Sequence, residues 1–252
     1  MKYFYYIYQV VIALPILLVA TVLATSTTTV GCLCGFPKFW GFYPAKVWSW
    51  LMIRVLLLPV HIEGKENVDP KTSYVFVPNH QGYFDIFLVY AFLGNPFRWM
   101  MKKSLRNMPL IGKACEAAGQ IFVDKSGPKA IQRTYEKARK ILSGGTSLVV
   151  FPEGSRTFTG RMGIFKKGAF QLADELQLPV VPITLNGPFD VLPRTAKSPL
   201  VHWARLSIKF HPAITPKGKG REFEQATLEE AYKVVMSGLP KERQGYEKNE
   251  DQ

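Results

Sequence analysis

The sequence predicts an α/β fold in which a mainly parallel or mixed sheet is covered by helices and preceded by an N-terminal membrane anchor of two helices. Two observations predict it. Residues 1–60 form long apolar or amphipathic stretches, whereas from about Ser73 onward short β-branched or aromatic runs alternate with helix-like segments. Such alternation is typical of strands joined by helices, and therefore of a largely parallel sheet with covered faces.

The first anchor helix is predicted from an uncharged segment near the amino terminus. No residue between Lys2 and Lys38 carries a charge, and residues 7–24 are almost continuously apolar. A run of about 20 apolar residues matches the hydrocarbon core of a bilayer, and Pro15 is tolerated in a membrane helix. A cleaved signal peptide is the alternative, although its apolar core usually holds only about 7–15 residues.

A second anchoring helix is expected over residues 39–60. Tryptophan and tyrosine cluster near its start, as they do at a membrane–water interface. Lys46 and Arg54 inside this stretch favour a helix lying in the interface over a full span. Residues 1–60 are therefore interpreted as a membrane anchor, 61–239 as the folded domain and 240–252 as a mobile polar tail.

Six strands are predicted beyond the anchor, and helices are predicted between most of them. The clearest helix is Pro128–Ser143, with proline in its first turn and Gly144-Gly145 past its end. Another is expected at about 167–178. Residues that follow parallel strands gather at one edge of the sheet, where functional sites form. The predicted strands are 73–77, 97–101, 120–123, 147–151, 180–184 and 206–210.

The charge balance narrows the class of partner. The chain holds 32 Lys and Arg residues against 19 Asp and Glu, a formal net charge of +13. Such a surplus favours nucleic acid, an acidic membrane surface or phosphorylated substrates. Together with the anchor it indicates an anionic membrane surface, and no nucleic-acid partner is expected. Cys32, Cys34 and Cys115 lack metal-ligand spacing, so they are interpreted as reduced structural thiols and no metal is expected.

A histidine and an aspartate follow the first predicted strand, where residues 78–85 read Pro-Asn-His-Gln-Gly-Tyr-Phe-Asp. His80 and Asp85 would lie about 140° apart on a regular helix, so they can meet only in a turn, for which Gly82 provides flexibility. With Asp85 accepting a hydrogen bond from one ring nitrogen, the other nitrogen of His80 is left basic. The pair is a candidate general base for a hydroxyl. A turn histidine beside a helix-capping acid is the alternative.

A second motif, Phe-Pro-Glu-Gly-Ser-Arg-Thr, occupies residues 151–157 after another strand. Arg156 offers a planar guanidinium that matches the geometry of a phosphate group. Glu153 is expected to orient an arginine or to brace the loop. Ser155 is a weak candidate nucleophile, because its surroundings are not the Gly-x-Ser-x-Gly elbow. An ordinary strand-to-helix turn with exposed charges is the alternative.

Lysines follow two further strands and extend the possible anion site. Lys102 and Lys103 come after the second predicted strand, and Lys125 comes after the third. All three should therefore point to the edge that carries the two motifs. A solvated surface lysine is the alternative for each of them.

With these motifs the chain resembles the glycerol-3-phosphate and 1-acylglycerol-3-phosphate acyltransferases over roughly residues 60–215. The family pattern Asn-His-x-x-x-x-Asp is met by Asn79, His80 and Asp85, and Gly-x-Ile-Phe-x-Asp-Arg is met at 119–125 with Lys125 in place of arginine. Phe-Pro-Glu-Gly-Ser/Thr-Arg is met completely at 151–156. The patterns Phe-Lys-x-Gly-x and Val-Pro-Ile/Val follow at 165–169 and 181–183. Four blocks in family order are more specific than any one of them.

The resemblance implies an acyltransferase catalytic domain over residues 61–239. His80 would take a proton from the acceptor hydroxyl as that oxygen attacks an acyl thioester, with Asp85 holding the imidazole and with no metal or covalent acyl-enzyme. Arg156, Lys125 and Lys103 would bind the acceptor phosphate. The supporting residues would be Asn79, Glu153, Gly154, Ser155 and Pro182, the last as part of a groove wall.

The reaction implied is transfer of a fatty acyl group from acyl-CoA or acyl carrier protein to the sn-2 hydroxyl of 1-acylglycerol 3-phosphate, giving phosphatidic acid for phospholipid biosynthesis. No cofactor is implied beyond the acyl donor. Two alternatives stay open, namely another acceptor such as glycerol 3-phosphate or a lysophospholipid, and a non-catalytic membrane protein that binds phospholipid. Because the donors are cytosolic, we expect a membrane protein whose catalytic domain faces the cytoplasm.

Overall fold

A computed structural model describes residues 2–245, which form a seven-stranded sheet with helices on both faces. The strands are β1 (Val60–Glu63), β2 (Val75–Pro78), β3 (Phe97–Lys102), β4 (Ile121–Val123), β5 (Ser147–Val149), β6 (Val180–Asn186) and β7 (Leu206–Phe210). The helices are α1 (Lys2–Leu33), α2 (Pro37–Trp40), α3 (Tyr43–Val55), α4 (Asp85–Phe92), α5 (Ile111–Ala117), α6 (Pro128–Ser143), α7 (Gly168–Leu176), α8 (Pro188–Val191) and α9 (Arg221–Ser237).

The sheet is mixed, in the order β1-β7-β6-β2-β5-β3-β4. Five neighbouring strands, β6-β2-β5-β3-β4, all run parallel to one another. Strand β7 is antiparallel to β6 and parallel to β1. The predicted mainly parallel or mixed sheet is therefore confirmed. Because β2 to β6 run in one direction, the residues that follow them meet at a single edge.

The six predicted strands all form, but β1 was not predicted. Val60 and Ile62 alternate with His61 and Glu63, which is a strand pattern. The predicted anchor ends at Val60, and no element is predicted over residues 61–63, because this pattern directly continues an apolar stretch. The helix predicted at Pro128–Ser143 has those bounds in the structure, and the one predicted at about 167–178 spans Gly168–Leu176.

The hydrophobic core lies in two layers on either side of the sheet. Successive side chains of a strand point to opposite faces, so Val75 and Val77 pack with α6, α7 and α9, whereas Phe76 packs on the other face with α3 and α4. Both layers are dominated by fully buried apolar side chains. This double covering holds the central strands, and thus their carboxyl ends, in fixed positions.

Helix α1 is, within residues 2–245, the one helix long and apolar enough to cross a membrane. It is also held to the rest of the chain near both ends. Near its start the Gln9 side chain donates to the Val201 carbonyl and accepts from the Val201 N–H, both at 2.9 Å. Near the end of the helix, Gly31 packs so closely on the Trp40 ring that a Cβ at this position would overlap the ring. The second half of α1 also contacts α5.

The second anchoring helix forms as α3, and it packs against α1 and α4. Ser49 and Ile53 are fully buried on its inner face, whereas Val47 and Trp50 are exposed. Its amphipathic pattern therefore covers the folded domain with one side and leaves the other side apolar and open. The two helices expected from residues 1–60 share their core with the domain.

The predicted tail at 240–252 divides into two parts. In residues 240–245 a short 3-10 helix, Lys241–Arg243, lies against the domain. Arg243 Nη2 lies 2.5 Å from Asp190 Oδ1, and its Nη1 donates to the Thr159 carbonyl at 3.2 Å. This part of the tail is therefore docked on the domain, and the expected mobility of the tail stays a prediction. Residues 246–252 lie outside the described residues.

Candidate active site

The first motif forms a turn between β2 and α4 that brings His80 and Asp85 together. Asp85 begins α4, and its Oδ2 lies 2.6 Å from His80 Nδ1 and 2.9 Å from the Gly82 N–H nitrogen. Because a carboxylate only accepts hydrogen bonds, Nδ1 donates, and Nε2 of the neutral ring is left as a proton acceptor. The Asp85 side chain is fully buried, whereas 15% of the His80 side chain is exposed, which gives the ring access to solvent and substrate.

Gly82 is required by space rather than by the flexibility expected for it. A Cβ at this position would lie 2.4 Å from the Pro188 carbonyl oxygen and 2.9 Å from that of Leu192. The next residue, Tyr83, donates its N–H to the same Leu192 oxygen at 3.3 Å. The turn is therefore pressed against residues 188–192, and any side chain at Gly82 would displace the N–H that binds Asp85.

Glu153 joins the second motif to the first through the main chain. Its buried carboxyl group accepts the His80 N–H at 2.6 Å and the Gly163 N–H at 2.7 Å. On the other side of His80, the Thr157 N–H donates to the His80 carbonyl at 2.9 Å. Of the two roles expected for Glu153, these contacts show the bracing one. Gly154 permits the turn with a left-handed φ of +77°.

A stack of aromatic rings fixes the plane of the His80 imidazole. The ring centroids of His80 and Phe151 are 3.8 Å apart with an interplanar angle of 10°, and Phe151 stacks in turn on Trp99 at 5.2 Å and 17°. This stack was not predicted. The available signal was that Phe151 opens the second motif, but its contact follows from the pairing of β2 with β5, which the sequence does not specify.

Two cations act directly on His80, and two more are linked to these. Arg156 lies over the Tyr83 ring, with 3.7 Å from its guanidinium carbon to the centroid. The charges of Arg156 and Lys102 act on His80, and those of Lys125 and Lys102 act on Lys166. The Lys166 Nζ also lies against Gly154 of the second motif. Lys166 was not predicted as a site residue, although it belongs to the Phe-Lys-x-Gly-x block.

Lys103 differs from its predicted place in this cluster. Its Nζ lies 2.7 Å from Asp124 Oδ2, and its side chain is 59% exposed. The hydrogen bond from Lys103 is the main cause that lowers the pKa of Asp124 to about 2. The charge of Lys103 is thus compensated by a neighbouring carboxylate. Lys102, the last residue of β3, is the lysine of this pair whose charge acts on His80.

The remaining predicted residues support the site from within the fold. The Asn79 side chain donates to the Leu185 carbonyl at 3.0 Å and accepts the Leu185 N–H at 2.7 Å, which fastens the end of β2 to β6. Pro182 is buried in β6 opposite Val77, and its role in a groove wall stays a prediction. In residues 2–245 no hydrogen bond joins Ser155 to His80, so the geometry offers Ser155 no activating base.

Burial governs the protonation of the site. It lowers the pKa of the His80 imidazole below its ordinary value, and Arg156 and Lys102 lower it further, against the raising effect of Asp85. A lowered pKa keeps the imidazole neutral, and therefore able to accept a proton, at neutral pH. Burial also raises the pKa of Glu153 to about 8. Glu153 is thus a bracing group that can hold a proton at neutral pH.

Among the described residues, no group of three or more His, Cys, Asp or Glu side chains could hold a metal ion. Cys32, Cys34 and Cys115 are free thiols. The expected absence of a metal and of a cofactor stays a prediction.

Comparison with known proteins identifies similar chains. Residues 59–186 match the family model described as Acyltransferase. The 1-acyl-sn-glycerol-3-phosphate acyltransferase LPAT1, chloroplastic, of Arabidopsis thaliana is 35% identical over 178 residues, which are 70% of this chain and 49% of the relative. The 1-acyl-sn-glycerol-3-phosphate acyltransferase of Saccharomyces cerevisiae is 29% identical over 194 residues, 73% of this chain and 61% of the relative. The chain spans about half the length of several curated relatives that it matches.

A solved structure shares the fold. The crystal structure of the 1-acyl-sn-glycerophosphate (LPA) acyltransferase PlsC from Thermotoga maritima superposes with a TM-score of 0.64 at 24% sequence identity. The match covers 88% of this chain and 93% of that one. The likeness therefore extends beyond the family-model region to most of the described elements.

Proposed function

The chain belongs to the acyltransferase family, and from that membership we propose that it transfers a fatty acyl group from a thioester donor to the sn-2 hydroxyl of 1-acylglycerol 3-phosphate. The product would be phosphatidic acid, a precursor of phospholipids. One observation carries the proposal, namely the 2.6 Å contact between His80 and Asp85 beside a group of cations. The relatives named as 1-acyl-sn-glycerol-3-phosphate acyltransferases support this choice of acceptor.

In this mechanism His80 acts as the general base. Its Nε2 accepts the proton of the acceptor hydroxyl while that oxygen bonds to the thioester carbonyl carbon. The tetrahedral intermediate then collapses, the carbon–sulfur bond breaks, and the proton on Nε2 passes to the leaving thiolate. Asp85 keeps the other ring nitrogen protonated and stabilises the imidazolium that forms between the two steps.

The cations bind the acceptor phosphate and so place its hydroxyl beside His80. Arg156 supplies a planar fork and Lys102, Lys125 and Lys166 supply point charges. The stacking of Arg156 on Tyr83 holds the guanidinium in one orientation. An acceptor held by its phosphate loses its translational freedom before the chemical step, which is a large part of the rate enhancement available to such an enzyme.

The function is tested with the purified full chain, an acceptor panel and both donor types. We expect the highest kcat/KM with 1-acylglycerol 3-phosphate, compared with glycerol 3-phosphate, lysophosphatidylcholine and lysophosphatidylglycerol. Acyl-CoA and acyl carrier protein are compared as donors, and the preferred one identifies the donor. A higher kcat/KM with another acceptor would reassign the substrate, and binding of phospholipid without transfer would contradict the enzymatic function.

Replacement of Arg156 by alanine is expected to raise the acceptor KM by about 10–100-fold, because a charge-assisted hydrogen bond contributes about 1.5–3 kcal/mol. The donor KM should change by less than about twofold, since Arg156 would contact only the acceptor phosphate. Arg161→Ala removes an exposed arginine of the neighbouring loop and is the matched control. An acceptor KM that does not change in Arg156→Ala would refute the phosphate-binding role.

The pH dependence of kcat/KM shows which of the two lysines, Lys102 or Lys103, acts on the pKa of His80. Transfer should rise with pH as His80 loses its proton, with a midpoint below the ordinary histidine value of about 6.5. Lys102→Gln removes a positive charge that lowers the pKa of His80, so the midpoint should move to higher pH. Lys103→Gln should move it less, because Asp124 already compensates Lys103. A larger shift of the midpoint in Lys103→Gln than in Lys102→Gln would show that Lys103, and not Lys102, is the lysine that acts on His80.

The chain is proposed to act on a membrane with its catalytic domain on the cytoplasmic side. The long apolar helix α1 supports membrane association, and the proposed donors are cytosolic. In sealed right-side-out vesicles, an external protease should leave residues 61–239 intact, and should cleave them after detergent is added. Cleavage before detergent would contradict this orientation.

A further inference from the structure

A polar cavity lies at the edge of the sheet opposite to His80. Its volume is about 220 Å³. It is lined by Lys38 of α2, by Arg98, and by residues 70–72, 95–96 and 144–147, which lie before or at the starts of β2, β3 and β5. Strand β3 connects the two edges, with Arg98 near its start and Lys102 at its end. Four residues at about 3.3 Å each separate them by about 13 Å. The cavity is therefore distinct from the candidate active site.

Arg98 is a buried cation without a negative partner. Only 7% of the residue is exposed. Its guanidinium donates to the carbonyl oxygens of Phe97 at 2.9 Å and Pro37 at 2.8 Å, which carry no formal charge. Over residues 2–245 no carboxylate oxygen lies within the 4.0 Å of its guanidinium that would make an ion pair. A buried, uncompensated charge is unfavourable, so the cavity favours a negative ligand.

Two lysines add to this positive charge. Lys38 and Lys71 line the same cavity, and both are exposed at its mouth. The nearest acid in sequence, Asp69, is turned to its own loop, where it accepts the Lys71 N–H at 2.9 Å and the Thr72 hydroxyl at 3.0 Å. Three cations therefore line the cavity, and no carboxylate is among its lining residues in the described part of the chain.

We propose that this cavity binds a phosphate group, separately from the acceptor site beside His80. A planar guanidinium and two ammonium groups are the donors that phosphate prefers. The volume is below the about 300 Å³ at which pockets for drug-sized ligands begin, which suits a headgroup or a free phosphate.

The position of the cavity indicates where such a phosphate would come from. The main chain of Pro37 accepts from Arg98, so the cavity lies at the junction between the anchor helices and the domain. Phe36 and Phe39, on either side of Lys38 in sequence, are more than half exposed. Exposed rings next to a lysine are typical of the membrane interface, so an anionic lipid headgroup fits the cavity as well as a free phosphate does.

The test measures ligand-dependent increases in Tm of the full chain in detergent, with inorganic phosphate and dihexanoyl phosphatidylglycerol as probes. Every variant carries Arg156→Ala, which weakens phosphate binding at the acceptor site. Adding Lys38→Gln and Lys71→Gln should weaken binding by about tenfold or more, since each lost charge-assisted bond costs about that factor. Adding Lys219→Gln and Lys233→Gln, two exposed lysines outside the cavity, removes the same charge and should change binding by less than about twofold.

Comparison of the two probes also identifies the source of the phosphate. Binding of the lipid probe alone assigns the site to a headgroup, and equal binding of both probes assigns it to any phosphate. Lys38→Arg with Lys71→Arg keeps the charge and should retain binding. The proposal is overturned if Arg156→Ala alone binds neither probe, or if the two pairs of lysine-to-glutamine substitutions bind the probes with equal affinity. It is also overturned if Lys38→Arg with Lys71→Arg lowers the affinity as much as Lys38→Gln with Lys71→Gln does.

Discussion

His80→Ala is expected to lower kcat by about 10²–10⁴-fold, the contribution usual for a general base. The variant loses the ring that lies 2.6 Å from Asp85 and stacks on Phe151. It keeps the main-chain bonds from His80 to Glu153 and Thr157, because these involve only the backbone of residue 80. The loss should therefore appear in single-turnover transfer rates, while the circular dichroism spectrum and the affinity for the acceptor stay close to those of the parent.

His61 provides the matched control for His80. It also pairs with a carboxylate, since its Nε2 lies 2.9 Å from Glu63 Oε1. However, its side chain is 71% exposed, and it lies in the edge strand β1, away from the candidate active site. His61→Ala should leave kcat within about twofold of the parent. Normal turnover in His80→Ala would remove the proposed mechanism, and an equal loss in both variants would indicate a general effect of removing a histidine.

Asp85→Asn is expected to lower kcat by about 10²-fold or more with little change in the acceptor KM. The Asp85 carboxylate accepts from both His80 Nδ1 and the Gly82 N–H through one oxygen. The asparagine amide is neutral, so it cannot stabilise the imidazolium that forms when His80 takes the proton of the acceptor hydroxyl. If its N–H₂ group occupies the Oδ2 position instead, it cannot accept from either Nδ1 or the Gly82 N–H, and the orientation of the ring is lost as well. The measurement is the split between kcat and KM.

A double variant distinguishes this role from simple destabilisation. If Asp85 acts only through His80, then His80→Ala/Asp85→Asn should be about as slow as His80→Ala alone. Glu63→Gln, which changes the acid of the exposed histidine pair, should have little effect. Losses that multiply in the double variant would show that Asp85 contributes independently of the imidazole.

The elements that the sequence predicted well are those with a strong local pattern. Helix α6 combines a proline in its first turn with two glycines past its end, and its bounds agree with the structure. Strand β1 lacks such a signal, because it follows an apolar helix without a break in hydrophobicity and pairs with β7, which lies more than 140 residues later. The antiparallel pairing of β6 with β7 is likewise a long-range feature that no local pattern encodes.

In the candidate site, motif residues were predictable and their environments were not. His80, Asp85 and Arg156 stand in recognisable motifs, and the structure brings the first two together. The choice between Lys102 and Lys103 depends on Asp124, a charge that lies in another strand's loop. The stacking of Phe151 on His80 depends on the neighbouring positions of β2 and β5. Such contacts follow from the order of strands in the sheet, which sequence alone leaves open.

The imidazole of His80 is held in place without any help from a ligand. Its main chain is fastened on both sides by the second motif, its face is covered by Phe151, and one nitrogen is fixed by a fully buried carboxylate. In the proposed transfer the base is already ordered before the acceptor binds, so the free energy of binding can go into positioning the acceptor. In the same mechanism, discrimination between acceptors would rest with the lysine and arginine side chains whose charges act on the site, which are longer and more adaptable than the rigid base.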